Sequence, residues 1–204
     1  MIIGFDGKRI VRNSTGLGNY CRTLINDMIR CNDKDKKLLI YCPDKGRDEL
    51  RKQIIESENS DFVYPNKKRG KIYKGLWRTK KIVKQLLDDN VDIYHGLSGE
   101  LPLGLKDSGI KGIVTIHDLI FLRHPEYYHW FDRKIYTWKF HQTLRQADHI
   151  IAISECTKRD ILEFGDFNPE KISVIYQSCN PRFAKIPSRE DICNTIEKYK
   201  LPER

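Results

Sequence analysis

The chain has 204 residues, 39% of them hydrophobic and 32% charged, with a formal net charge of +9. That length suits one well-cored domain and is short for two large ones, and the composition is that of a globular protein rather than a disordered one. No apolar run approaches the roughly 20 residues of a membrane span, and Met1-Ile2-Ile3-Gly4-Phe5-Asp6 lacks the parts of a signal peptide, so a cytoplasmic chain is expected. The six cysteines are widely spaced, without a Cys-x-x-Cys pair or a Cys/His cluster at zinc spacing, which predicts reduced thiols. The positive charge suits phosphorylated small molecules, an anionic membrane surface or nucleic acid, and composition does not choose among them.

Strand and helix signals alternate almost end to end, which predicts an α/β domain with a mostly parallel sheet. The first strand, Ile2 to Phe5, leads to the turn Thr15-Gly16-Leu17-Gly18-Asn19-Tyr20. A helix then begins at Tyr20 and Cys21, its apolar face being Leu24, Ile25, Met28 and Ile29. Strands follow at Leu38 to Cys42 and, weakly, at Phe62 to Tyr64. A helix pattern runs through Ile72, Leu76, Trp77, Val83, Leu86 and Leu87 and stops at Asp88-Asp89-Asn90. The next strands are Asp92 to His95 and Ile113 to Ile116. A helix over about Phe131 to Gln146 is expected to turn Ile135, Trp138 and Leu144 inward. His149 to Ile153 is a strand, after which Ser154 caps a helix that begins at Glu155 and ends near Gly165. Ile172 to Tyr176 is the last strand. Beyond Phe183 the character changes, and Pro187, Ser188 and a helical stretch from about Arg189 to Lys200 read as a connecting arm. No internal repeat is visible.

Chemistry is expected first at His117, which follows the continuous apolar strand Gly112-Ile113-Val114-Thr115-Ile116 and is followed by Asp118. Strand ends of an open parallel sheet converge on a ligand crevice, and His95 ends another strand, so it is either a core-edge histidine hydrogen-bonded to backbone or, with His117, a group at that crevice, His117 being the better catalytic candidate. Asp118 either orients the His117 ring or caps the next turn. Gly16 and Gly18 let backbone N–H groups approach a ligand at a helix start, which suits phosphate or a plain tight turn. The dinucleotide fingerprint is incomplete, since Cys21 stands at the third glycine position and no acid closes the second strand. The stretch from Lys67 to Lys81 carries eight basic residues interleaved with Ile72, Tyr73, Leu76 and Trp77. Such a helix lies on anionic lipid, grips a phosphorylated acceptor, or is a solvated face with its apolar side in the core. A later cluster, Arg123, His124, Tyr127, Tyr128, His129, Trp130 and Arg133, follows the His117 strand and suits the wall of a carbohydrate or phosphate pocket.

These segments together resemble the N-terminal domain of retaining GT-B glycosyltransferases of family 4. The resemblance rests on Gly16-Leu17-Gly18-Asn19-Tyr20, Val91-Asp92-Ile93-Tyr94-His95, Thr115-Ile116-His117-Asp118-Leu119, Phe121 with Pro125-Glu126-Tyr127, Ala147 to Asp160 and Lys171 to Tyr176, in order over residues 1 to 183. It implies a Rossmann-like three-layer domain over residues 1–184, which supplies the acceptor side. Residues 185–204 then lead toward a second, donor-binding domain that these residues do not contain. It implies that Gly16, Leu17, Gly18 and Asn19 face the donor phosphates and sugar, and that His117 is catalytic. His95, Asp118, Arg123, His124, Tyr127 and Ser154 would line the acceptor side or cleft. The implied partners are a nucleotide sugar and a glycan or lipid-linked acceptor, with contact to anionic membrane through Lys67 to Lys81 at the inner face. Neither a metal, a separate cofactor nor nucleic acid is expected. The chain departs from the family after Tyr176, where a glycine and an acid are common and Gln177-Ser178-Cys179-Asn180 stands here. A non-catalytic sugar- or nucleotide-binding module is the alternative, and a dehydrogenase is disfavoured by the broken fingerprint.

Overall fold

The structure is a computed structural model and describes residues 1–31, 35–65, 70–179 and 181–202. Seven strands form one sheet: β1 (Ile2–Asp6), β2 (Lys37–Tyr41), β3 (Ser60–Val63), β4 (Ile93–Gly96), β5 (Lys111–Ile116), β6 (His149–Ala152) and β7 (Ile172–Val174). Their order is β3-β2-β1-β4-β5-β6-β7, and every pairing is parallel. Six were legible as apolar runs, because strands covered on both faces have no need to alternate, while β3, a half-buried edge strand of sequence Ser-Asp-Phe-Val, was legible only weakly.

Residues that alternate along a strand enter two separate cores. Leu38 and Ile40 of β2 pack with Ile3, Phe5, Ile10, Cys21 and Ile25 on one face. Leu39 and Tyr41 pack on the other with Tyr94, Val114, Leu86, Phe140 and Ile161. The first face is covered by α1 (Lys8–Arg12) and α2 (Gly16–Arg30). The second is covered by α5 (Ile82–Asp88), α7 (Trp130–Gln146) and α8 (Glu155–Phe164). The result is the three-layer α/β arrangement expected from the sequence. The short elements α3 (Asp48–Arg51), α4 (Lys71–Leu76) and α6 (Ile120–Arg123), a π-helical turn at Trp77–Lys81, and α9 (Arg189–Tyr199) complete the chain. The helices α1 and α3 were not anticipated, since elements of five and four residues are too short to show a period.

Two expectations need correction. The first long helix begins at Gly16, not at Tyr20, so the glycine turn is itself the helix start. In α7 the inward residues are Phe140, Thr143 and Leu144, whereas Ile135 is 37% and Trp138 52% exposed. Trp138 lies two positions from Phe140, and residues two apart on a helix point in nearly opposite directions. The α9 helix starts in a capping box between Ser188 and Asp191 and contributes no buried residue. Among the described residues no helix is long and apolar enough to cross a membrane.

Candidate functional site

The chain passes from β1 outward to β2 and β3, then returns to β4 on the other side of β1. The loops after β1 and β4 therefore diverge, which opens a crevice at the C-terminal ends of the strands. His117 stands there as the first residue beyond β5. Its Nε2 lies 3.0 Å from the carbonyl oxygen of Leu97, and its Nδ1 lies 2.8 Å from Nε2 of Gln177. A carbonyl can only accept, so Nε2 carries the hydrogen and Nδ1 accepts from the Gln177 amide. The Tyr20 ring meets the imidazole edge-on at 4.7 Å. Burial lowers the pKa of His117, the Leu97 carbonyl and Asp118 oppose that shift, and the charge of Arg9 adds to it. The ring is neutral at pH 7.

A cleft of about 280 Å³ opens in front of it, lined among others by Arg9, Leu17, His117, Asp118, Tyr128 and Tyr136. Phe121, Tyr128 and Tyr136 form a closed triad of edge contacts, with centroids 5.8 to 6.4 Å apart. An apolar wall of aromatic edges and faces beside charged groups suits a sugar, which has an apolar C–H face and a polar rim.

The glycine turn divides in function. A Cβ on Gly18 would sit 1.8 Å from the Asn13 carbonyl oxygen, and the Gly18 N–H already donates to Oδ1 of Asn13 at 3.2 Å. Gly18 is therefore a packing requirement. Around Gly16 nothing lies within 4 Å of a Cβ, and Leu17 lines the cleft. The N–H groups of these first two helical residues have no acceptor within the helix, and Thr15 provides no side-chain cap. Asn19 accepts from Arg22 at 2.7 Å, and Arg22 also donates to the carbonyls of Ile10 and Asn13, so Asn19 braces the turn.

His95 does not reach the cleft. It is 6% exposed, donor or acceptor to Thr115 Oγ1 at 2.9 Å, and burial pushes its pKa down to about 4. The register explains this: His95 pairs with Ile113, four residues short of His117, and so lies under α2 beside Phe5 rather than at the sheet's edge. His95 is thus a buried histidine rather than a group of the crevice, and Tyr20 also bonds its partner Thr115, at 3.1 Å.

Asp118 lines the cleft and accepts from the N–H of Ile120 at 3.3 Å, so it caps the following turn. Arg123, His124 and Tyr127 stand away from the cleft lining. Arg123 pairs with Asp160 and Glu163 of α8 and lies over Phe164, while His124 bonds Glu126 and stacks on Tyr127. Of the cluster expected to wall the pocket, Tyr128 is in the cleft lining, joined there by Tyr136, which was not anticipated. Ser154 caps α8 by accepting from the N–H of Thr157, whose hydroxyl donates to the His117 carbonyl at 3.1 Å. Ser154 thus supports the site from behind.

In the basic stretch, Lys67, Lys68 and Arg69 lie outside the described residues. Lys74 bonds Asp44 at 2.7 Å, and Lys81 lies over the Tyr73 ring. Arg78 turns inward to meet Asp6 at 2.6 and 3.1 Å and Glu100 as well, and Lys139 bonds Glu100 at 3.0 Å. Burial raises the Glu100 pKa, but Arg78 and Lys139 overcome it and hold the carboxyl at about 2. The network joins the end of β1 to the cleft wall, and sequence reasoning missed it. The only sequence signal was an acid closing β1. Arg9 was missed too; it lines the cleft with no acidic partner among the described residues. Among the described residues no group of three or more His, Cys, Asp or Glu is placed to hold a metal.

Residues 14–183 match the family described as Glycosyltransferase Family 4. A stretch of 111 residues is 29% identical to O-antigen chain mannosyltransferase B of Escherichia coli, covering 53% of this chain and 27% of that relative. The structure resembles Anabaena Alr3699/HepE, solved in complex with UDP and glucose, with a TM-score of 0.60 at 16% identity over 97% of this chain and 50% of that one. It also resembles a glycosyltransferase from Rickettsia africae ESF-5, with a TM-score of 0.55 at 18% identity over 100% of this chain and 50% of that one. The chain thus spans about half the length of these solved relatives, and at such identities their likeness speaks for the fold. The family match itself runs from just before the glycine turn, through both histidine strands, to just beyond the last strand, and the chain belongs to Glycosyltransferase Family 4.

Proposed function

We propose that this chain is the acceptor-side half of a retaining, metal-independent glycosyltransferase that moves a hexose from a nucleotide sugar to a glycan or lipid-linked acceptor. The observation that carries the reading is the His117 imidazole, whose Nε2 donates to the Leu97 carbonyl while Nδ1 accepts from Gln177, in a cleft lined by Leu17 and by the Phe121, Tyr128 and Tyr136 wall. A solved relative holds UDP-glucose, which supports a nucleotide-sugar donor. In this reading residues 1–184 form the acceptor-side domain and 185–204 lead toward a donor-binding half.

Departure of a nucleoside diphosphate leaves a sugar with oxocarbenium character and a leaving group gaining negative charge. In this reading the N–H groups of Gly16 and Leu17, which have no acceptor within the helix, and the guanidinium of Arg9, in the cleft lining, donate to that negative charge. His117 touches the transferred sugar, and its neutrality matters there: an imidazolium would repel the developing positive charge. A sugar hydroxyl donating to Nδ1 would replace the Gln177 amide.

The test compares His117→Ala with wild type in the protein carrying both halves, with single-turnover rate and thermal midpoint measured side by side. The expected result is a rate at least about tenfold lower, or roughly 1.4 kcal/mol of transition-state stabilisation, with the midpoint unchanged. An unchanged rate refutes the role of His117. The 204-residue chain alone is expected to give no multiple turnover with any nucleotide sugar, and turnover by it would refute the division into halves. Binding of donor with no transfer by the two-half protein would instead favour a non-catalytic module.

A further inference from the structure

We infer that the outward face of α7 is a docking surface for an anionic lipid bilayer. The helix is apolar on two sides. Phe140, Thr143 and Leu144 face the sheet, while Phe131, Ile135 and Trp138 share the opposite side, at the four-and-three spacing that aligns residues along a helix. Trp130 and Phe131 are 58% and 55% exposed, and Tyr127 and Ile120 nearby are exposed as well. A soluble surface helix carries polar residues on its outer side, so an apolar outer stripe implies something that covers it.

Composition and charge indicate what that is. The stripe is built of Trp and Phe interleaved with cations: Lys134 lies over the Trp130 ring at 4.9 Å, and neither it nor Arg133 has an acidic partner among the described residues. Both cations line an open groove of about 510 Å³ between α6 and α7, together with Phe121, Leu122, Pro125 and Trp138. Aromatic rings with an apolar body sit at the bilayer interface, and long basic side chains reach past them to phosphate headgroups. The net charge of +9 adds attraction over a longer range. A cationic groove with aromatic rims complements an anionic bilayer and offers little to a basic surface such as a second copy of this chain. The same helix lends Tyr136 and Lys139 to the cleft, so docking here would hold that cleft near the lipid surface.

The test sediments the 204-residue chain with vesicles of phosphatidylcholine alone and of phosphatidylcholine mixed with phosphatidylglycerol. The expected result is binding to the mixed vesicles that weakens as salt is raised, with a blue shift of tryptophan emission. Phe131→Ser combined with Trp138→Ser should cut vesicle affinity by about tenfold or more, and Lys134→Glu should weaken it, each without moving the thermal midpoint, because these side chains are exposed. No binding to either vesicle at low salt overturns the proposal. So does binding that survives the α7 changes but is lost with Lys80→Glu and Lys81→Glu, which would move the contact to the basic stretch. A concentration-dependent dimer, seen by sedimentation velocity and dispersed by the α7 changes, would assign the stripe to a second copy and overturn it equally. None of these readouts depends on sugar transfer, so failure here and failure of the transferase reading are separate results.

Discussion

Two histidines in this chain are kept from protonating by the same means, and their positions give them different consequences. His95 is sealed under α2, and its pKa is pushed down to about 4 from an ordinary value near 6.5. The folded state therefore binds fewer protons than the unfolded state between those values, so stability is fully present above pH 6.5 and is lost as pH falls toward 4. The loss expected from His95 alone is on the order of 3 kcal/mol. Glu100, held at about 2, gives up its contribution only at lower pH, below its ordinary value near 4.5. Denaturant unfolding at pH 7 and pH 5 separates the two. Wild type should lose stability over that interval, and His95→Gln, which keeps a polar partner for Thr115, should lose distinctly less; equal losses would show that the His95 site is not the source. The glycines offer a second comparison at this scale. Gly18→Ala forces a methyl against the Asn13 carbonyl and should destabilise the fold by roughly 1–3 kcal/mol, while Gly16→Ala, in open space on a helix, should be neutral or stabilise by up to about 1 kcal/mol. Thermal melts of the two variants should move in different directions or by clearly different amounts.

Between residues and fold, the π-helical turn at Trp77–Lys81 sends two adjacent side chains inward. Trp77 enters the core and bonds Gln85, while Arg78 reaches Asp6 and Glu100, and the carbonyl of Thr79 accepts from Leu103 to hold the turn against the loop carrying Glu100. Removing Arg78 leaves the buried Asp6 carboxylate with its main partner gone. Arg78→Ala should therefore cost roughly 3–5 kcal/mol, whereas Lys80→Ala should change stability by no more than about 0.5 kcal/mol; urea titrations of both variants check this. Strands buried on both faces announce themselves as apolar runs, and the Ser154 cap is visible because it acts over three residues. Arg78 and Asp6 are 72 residues apart, and nothing local distinguishes this arginine from the solvated cations around it. In α7 the misreading had another cause: with apolar residues on both sides, the 3.6-residue period selects no face, and only the contacts of Phe140 and Leu144 decide which one is buried. Likewise His117 and the glycine turn were legible from their place beside strand ends. The displacement of His95 by four residues of register was not.

At the scale of the whole molecule, the chain closes on its own site from the far end. After β7, at the outer edge of the sheet, it returns far enough for Gln177 to donate to a histidine 60 residues earlier. The segment after β7 thus donates to one nitrogen of the imidazole that looks into the cleft. An amide donor there favours the neutral ring, whose unprotonated Nδ1 accepts its hydrogen, and a carboxylate would do the opposite, since a negative charge within about 4–6 Å stabilises the protonated form. Gln177→Glu should accordingly raise the pKa of His117 and with it the imidazolium fraction of the ring. Titration of the His117 ring resonances in the 204-residue chain measures this directly, and identical curves for wild type and variant would mean that Gln177 does not face the ring in solution. If the protein carrying both halves is the transferase proposed above, the same change should slow transfer more than it weakens donor binding. The added proton places positive charge beside a sugar that becomes cationic only as its bond to the diphosphate breaks, so its cost falls on the transition state rather than on the bound donor.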